Sequence, residues 1–179
     1  MRYCVFCGSN GGASPSYASV TAELARCLVA NRIGIVYGGG NVGLMGVLAD
    51  AALAEGGEVV GVIPRMLVEK EIAHRGLSEL RVVGSMHERK ALMADLSDAF
   101  IAAPGGYGTL DEFCEILTWT QLGLQKKPVG ILNVNGYFDR LLALFDHAVT
   151  EQFVKPMHRD MIVTDDVPQS LIARMRLPG

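Results

Sequence analysis

Asp98-Ala-Phe-Ile-Ala-Ala-Pro-Gly-Gly-Tyr-Gly-Thr-Leu-Asp-Glu112 reads as a strand, a glycine-rich turn and the opening of a helix. The run Asp98–Ala103 is short, apolar and stopped by Pro104, the pattern of a buried strand. A glycine turn between strand and helix leaves backbone N–H groups free at the positive end of a helix dipole, where they form an anion site. The reading places Asp111 and Glu112 in the first turn of that helix. An anion cradle beside an acid predicts a site that grips a phosphate and performs acid/base chemistry close by.

Outward from this stretch the same alternation of strand and helix continues, which predicts an α/β fold with a mainly parallel sheet. Strands are expected at about Arg2–Cys7, Ile33–Tyr37, Glu58–Ile63, Leu80–Val83, Pro128–Val134 and Met161–Val163. Helices are expected at about Tyr17–Ala30, Leu44–Glu55, Ser85–Leu96, Thr109–Leu122, Tyr137–Glu151 and Val167–Met175. Ser14 followed by Pro15 reads as an N-cap with a first-turn proline. In the helix from Tyr137, the residues Phe138, Leu141, Leu142 and Phe145 are expected to face inward. The segment from Arg65 to Gly76 reads as a loop or short helix over the sheet edge. No repeat, linker or low-complexity tract divides the chain, so residues 1–179 are expected to form a single domain able to bury a real core.

Composition narrows the function classes. Half of the residues are hydrophobic and 20% are charged, a globular balance. A net charge of −3 gives no basic footprint for nucleic acid. No apolar run approaches the ~20 residues that span a bilayer. The strand pattern beginning at Arg2 has no signal-peptide layout, so a cytoplasmic protein is expected. Cys4 and Cys7 have C-x-x-C spacing, but residues three apart on a strand face opposite ways and no second pair completes a zinc site. They are read as buried thiols acting as small hydrophobes. His74, His87, His147 and His158 have no ligand spacing, and no metal site is expected.

Ligands of open α/β sheets bind beyond the carboxyl ends of the strands. The glycine-rich loops Gly8–Gly12, Gly38–Gly43 and Gly105–Thr109 all fall on that edge, which makes Gly8, Ser9 and Gly39 candidate contacts beside the third loop. Gly38, Gly40 and Gly43 also spell G-x-G-x-x-G, a dinucleotide fingerprint. It follows the second strand, however, and the next strand ends in Ile63-Pro64 where a ribose-binding acid would stand. Close approach of a smaller nucleotide, or tight helix–sheet packing, explains these glycines as well. In Met86-His-Glu-Arg-Lys90, Arg89 and Lys90 cannot face the same way on a helix. The run reads either as surface charge or, beside a cradle, as an arginine able to grip phosphate or carboxylate. Glu112 and Glu115 share a helix face, while Asp111 fits a dipole-stabilising role.

Taken together, Pro104–Glu112, Tyr37–Gly46, Met86–Lys90, Gly8-Ser-Asn10, Leu117-Thr-Trp119 and Lys127-Pro-Val-Gly130 resemble the "lonely guy" (LOG) family of cytokinin-activating phosphoribohydrolases, a family often labelled lysine decarboxylase-like. The resemblance covers almost the whole chain. It implies a single-domain Rossmann-like fold, a doubly wound sheet with helices on both faces, and a homodimer. It further implies hydrolysis of (N6-modified) adenosine 5′-monophosphates to free base and ribose 5-phosphate, without a cofactor. The family's essential pair maps onto Arg89 and Glu112, and its nucleotide contacts onto Glu71, Lys90, Thr118 and the stretch Gly105, Gly106, Tyr107, Gly108, Thr109, Leu110 and Asp111. Asp111 stands where many relatives have glutamate. Lysine decarboxylation is disfavoured independently, because it needs a pyridoxal phosphate lysine and no lysine here has that context. A non-catalytic nucleotide or cofactor carrier on the same fold is the alternative reading.

In the reaction so implied, positive charge develops on the ribose. Glu112 is expected to stabilise it and activate water, and the Gly105–Thr109 amides with the Thr109 hydroxyl to hold the 5′-phosphate. Three roles stay open for Arg89: orienting the phosphate, orienting the glutamate, or assisting the departing base.

Overall fold

The computed structural model describes residues 1–68 and 73–175. Its strands are β1 (Arg2–Phe6), β2 (Gly34–Tyr37), β3 (Val59–Pro64), β4 (Glu79–Val83), β5 (Ala99–Ala102), β6 (Val129–Leu132) and β7 (Ile162–Asp165). The helices are α1 (Pro15–Ala30), α2 (Gly43–Ala54), α3 (Arg65–Val68), α4 (Met86–Asp95), α5 (Tyr107–Gln121), α6 (Asp139–Thr150), α7 (Pro156–Arg159) and α8 (Pro168–Met175), with a 3₁₀ turn at Val134–Gly136. The strands form one sheet in the order β4-β3-β2-β1-β5-β6-β7, and every pairing is parallel. This is the doubly wound, Rossmann-like arrangement, with helices on both faces.

Alternation along the strands feeds two cores. Tyr3 and Val5 of β1 join Ile35, Leu24, Leu28 and Leu48 on the face under α1, α2 and α8. Cys4 and Phe6 join Val62, Phe100, Phe113 and Ile116 on the face under α4, α5 and α6. Cys4 and Cys7 therefore lie on opposite faces, both buried, as strand geometry requires. All four cysteines are free. Among the described residues, no helix is long and apolar enough to cross a membrane.

The connection of β1 runs outward through α1 to β2, whereas β5 lies on the other side of β1. The strand order reverses between β1 and β5, and loops leaving the carboxyl ends of two such strands diverge and open a crevice. The Gly8–Gly12 and Pro104–Gly106 loops leave the sheet there. They approach closely enough for the Gly8 N–H to donate to the Pro104 carbonyl at 3.0 Å.

Two expectations need correction. α5 begins at Tyr107, not Thr109, so Asp111 and Glu112 lie beyond its first turn and Asp111 has no end-of-helix charge to stabilise. The strand expected through Val134 ends at Leu132, because Asn133-Val-Asn-Gly136 turns the chain back instead. The inward stripe around α6 is as expected: Phe138 is buried, and the half-buried Leu141, Leu142 and Phe145 pack against the second core. The N-cap is as expected: the Ser14 side chain accepts the Ser16 N–H and Pro15 opens α1.

Candidate active site

A cavity of about 620 Å³ opens over the carboxyl ends of β1, β2, β3 and β5. Its walls come from all three expected loops, together with residues of α1, α2, α4 and α5. Glycine is required where backbones meet there. A Cβ on Gly43 (φ +58°) would strike the Ser9–Asn10 backbone, and one on Gly105 would lie 2.8 Å from the Gly8 nitrogen and against the Thr109 hydroxyl.

The starts of α2 and α5 both border this cavity and differ in how their N–H groups are used. At α2 the Leu44 and Met45 N–H groups donate to the Gly8 carbonyl at 3.0 and 3.3 Å. The protein thereby supplies its own acceptor where a dinucleotide pyrophosphate would sit. The G-x-G-x-x-G run is thus used for close packing. At α5 the N-cap is Gly106, which offers no side-chain acceptor. The N–H groups opening a helix have no intrahelical partner, and Gly106, Tyr107, Gly108 and Thr109 all line the cavity.

Arg89 and Glu112 meet at the wall of this cavity. Arg89 Nη1 donates to Glu112 Oε1 at 2.5 Å, and Arg89 Nε donates to the Val62 carbonyl at 3.0 Å. Arg89 is 8% exposed and Glu112 7%. Burial pushes the Glu112 carboxyl above its ordinary value, against the opposing pull of the Arg89 guanidinium. α4 delivers Arg89 because Ser85 caps it by accepting the Glu88 N–H at 3.1 Å, while the Glu88 carboxylate takes the Gly84 N–H at 2.6 Å. Gly38 leaves the space for the guanidinium, since a Cβ there would collide with Arg89 Nη2.

Lys90, one residue on, faces away and joins Asp111 at 3.3 Å and Glu115 at 3.1 Å. Asp111 and Glu115, four apart, form one outer ridge bound to Lys90, and Glu112 alone turns inward. The expectation that Glu112 and Glu115 act on one face is corrected accordingly.

Of the expected site residues, the cavity is lined by Gly8, Ser9, Arg89, Gly105, Gly106, Tyr107, Gly108, Thr109 and Glu112. Gly39 is not in its lining, although Gly38 and Gly40 are; at φ +74° Gly39 packs on Ile63 and Val62 instead. Lys90, Leu110 and Asp111 lie outside the lining. Thr118 borders a separate cavity of about 170 Å³ with Cys114, Phe145 and His158. Glu71 lies outside the described residues. The sequence reading missed Tyr17, Met45, Ile63, Leu67 and Tyr137, which also line the main cavity. For Tyr137 there was a signal, the Asn135-Gly136 turn directly after a strand on the ligand edge.

The family model described as "Possible lysine decarboxylase" matches residues 45–175. A probable cytokinin riboside 5′-monophosphate phosphoribohydrolase of Oryza sativa subsp. japonica is 52% identical over 174 residues, covering 97% of this chain and 77% of the relative. A cytokinin riboside 5′-monophosphate phosphoribohydrolase of Arabidopsis thaliana is 49% identical, covering 97% and 80%. Among solved structures, the molybdenum cofactor binding protein of the phototrophic bacterium Rippkaea orientalis superposes with a TM-score of 0.73 over 97% of this chain and 93% of that one. At 21% identity that likeness is one of fold.

Proposed function

This chain belongs to the cytokinin riboside 5′-monophosphate phosphoribohydrolase family, and from that premise we propose that it hydrolyses the N-glycosidic bond of adenosine 5′-monophosphates, plain or N6-modified, to the free base and ribose 5-phosphate. The observation that carries the proposal is the buried Arg89–Glu112 pair in the same cavity wall as the uncapped start of α5. The first holds a carboxylate in a fixed orientation, and the second is an anion site.

The chemistry follows from where each charge sits. The 5′-phosphate binds the N–H groups opening α5 and the Thr109 hydroxyl, which fixes the sugar. The bond from C1′ to the base nitrogen breaks with its electron pair leaving on the base, which gains a proton. The positive charge left on C1′ and the ring oxygen is stabilised by the Glu112 carboxylate. Water adds to C1′ and gives up a proton, with Glu112 as the base. Arg89 is assigned the role of orienting Glu112. Its guanidinium donates to both the carboxylate and Val62, which supports that choice among the three left open. Binding at the phosphate orients a distant bond, so nucleosides lacking it are poor substrates.

A homodimer is part of the same proposal. Leu122 and Leu124 after α5, Leu144 on α6, and Phe153 and Met157 around α7 are all exposed large apolar side chains, Phe153 by 85%. Such a set supports burial against a second copy. A cytoplasmic site is proposed as well, and the four free thiols suit a reducing compartment.

The decisive experiment incubates purified protein with AMP and with isopentenyladenosine monophosphate and follows free base by chromatography, with Glu112→Gln as control. Release by the wild type, lost in the variant, is the expected result. No base from either nucleotide, or near wild-type turnover by Glu112→Gln, overturns the proposal. Light scattering on the eluting protein decides the oligomer.

A further inference from the structure

We infer that Tyr137 is a positioning residue for the anion cradle: its hydroxyl holds the Gly105 carbonyl and thereby aims the Gly106 N–H at the bound phosphate. The inference rests on the phosphoribohydrolase reading above and adds to it a group outside the loops and helices already assigned.

A trans peptide points its C=O and N–H to opposite sides, so fixing one fixes the other. Two successive peptides of the cradle are fixed in this way. The Pro104 carbonyl accepts the Gly8 N–H at 3.0 Å. The Gly105 carbonyl accepts the Tyr137 hydroxyl at 2.6 Å, the length of a strong O–H···O bond. Glycine peptides need such restraint, because without a Cβ they rotate with little steric cost. A Cβ on Gly106 would meet nothing within 4 Å, so on that side packing does not restrain the peptide.

The tyrosine is itself held. The 3₁₀ turn before it closes with the Tyr137 N–H donating to the Val134 carbonyl at 3.0 Å. Asn135 sits at φ +53°, the left-handed conformation that asparagine tolerates better than most non-glycine residues. Its side-chain amide donates to Ser16 Oγ on α1 at 2.6 Å, which fastens the turn to the wall opposite. The Tyr137 ring stands edge-on to Tyr17 at 5.7 Å and to Phe138 at 4.9 Å. Tyr137 is 43% exposed and lines the cavity, so its ring is not a core element. A turn tied to α1 thus places one hydroxyl on one cradle carbonyl.

Tyr137→Phe keeps the ring and both edge-on contacts and deletes the hydroxyl. KM for AMP is expected to rise about tenfold, with the inhibition constant for ribose 5-phosphate rising by a similar factor. Turnover of adenosine, which has no phosphate to place, is expected to stay at its wild-type level. The melting temperature is expected to hold within about 2 °C. An unchanged KM and unchanged ribose 5-phosphate inhibition overturn the inference while the hydrolase reading stands. An equal loss on AMP and adenosine overturns it too, because that is the mark of general damage. If the wild type releases no base, the hydrolase reading fails and calorimetric titration with inorganic phosphate decides the inference instead. About tenfold weaker binding by Tyr137→Phe supports it; equal affinities, or no binding by either protein, overturn it.

Discussion

Removing the Arg89–Glu112 pair by halves and then whole tests whether it is kept for chemistry or for folding. The side chains of Arg89 and Glu112 are 10% and 9% exposed, and the guanidinium also donates to the Val62 carbonyl beneath it. Breaking a buried pair by removing one member costs about 3–5 kcal/mol, because the other charge is left uncompensated. Here both groups line an open cavity that water can enter, so Glu112→Leu is expected to cost less, about 2–4 kcal/mol. At ~2–4 °C per kcal/mol in a chain of this size, the melting point falls by roughly 4–16 °C. Arg89→Met strands a carboxyl that burial already pushes upward, and this carboxyl can escape its penalty by taking a proton. A group whose folded-state pKa is raised contributes stability at low pH and loses it as pH rises through that value. The Arg89→Met penalty is therefore expected to be small at pH 5 and to grow towards pH 8. The double variant Arg89→Met/Glu112→Leu leaves no buried charge and is expected within about 1 kcal/mol of wild type, or above it. Urea unfolding of the four proteins at both pH values gives the cycle, and base release from AMP is expected to vanish in all three variants. Additive penalties in the double variant, or single variants that cost under about 0.5 kcal/mol at pH 8, would refute the reasoning.

Gly105→Ala forces a Cβ onto Thr109 and the Gly8 nitrogen; kcat/KM for AMP is expected to drop by about a hundredfold, and a drop below threefold would show that the loops yield. Because burial raises the Glu112 carboxyl and the ionised form is the working one, kcat is expected to fall in acid with a limb above the ordinary glutamate range, whereas a limb at or below that range would count against Glu112. Burial also pushes the Cys4 and Cys7 thiols well up, with the Glu112 charge adding to it. Mass mapping after alkylation of the native protein is expected to show both unmodified and any label confined to Cys27 and Cys114; rapid labelling of Cys7 would place it open to solvent.

Local chemistry made some parts of this protein legible and long-range placement hid others. β5 and α5 could be read because an unbroken apolar run, a proline and a glycine turn are adjacent in sequence. The Ser14 cap could be read because its acceptor and donor lie two residues apart. Arg89 and Glu112 are separated by 23 positions, and nothing in periodicity says that α4 and α5 face each other; only the resemblance paired them. The outward turn of Asp111 and Glu115 depends on Lys90, which belongs to the other helix. For α6 the amphipathic pattern gave the right stripe but not its cover, since periodicity is the same whether a face meets its own core or another surface.

The fold by itself does not select a reaction, for it is shared with a molybdenum cofactor binding protein at a TM-score of 0.73. The choice lies in how the two helix starts at the crevice are used. α2 receives the Gly8 carbonyl, so its dipole is answered by the protein. α5 has no such acceptor at its N-cap, and Glu112 follows on the same helix with Arg89 holding it. On the proposed reading, a phosphate gripped at the first turn and a carboxylate fixed on the second would set the two ends of a ribose 5-phosphate on one rigid element. This arrangement also explains why Arg89 is buried at a stability cost: an exposed glutamate would be free to rotate away, and a buried one without a cation would take up a proton and lose the charge on which the reaction depends.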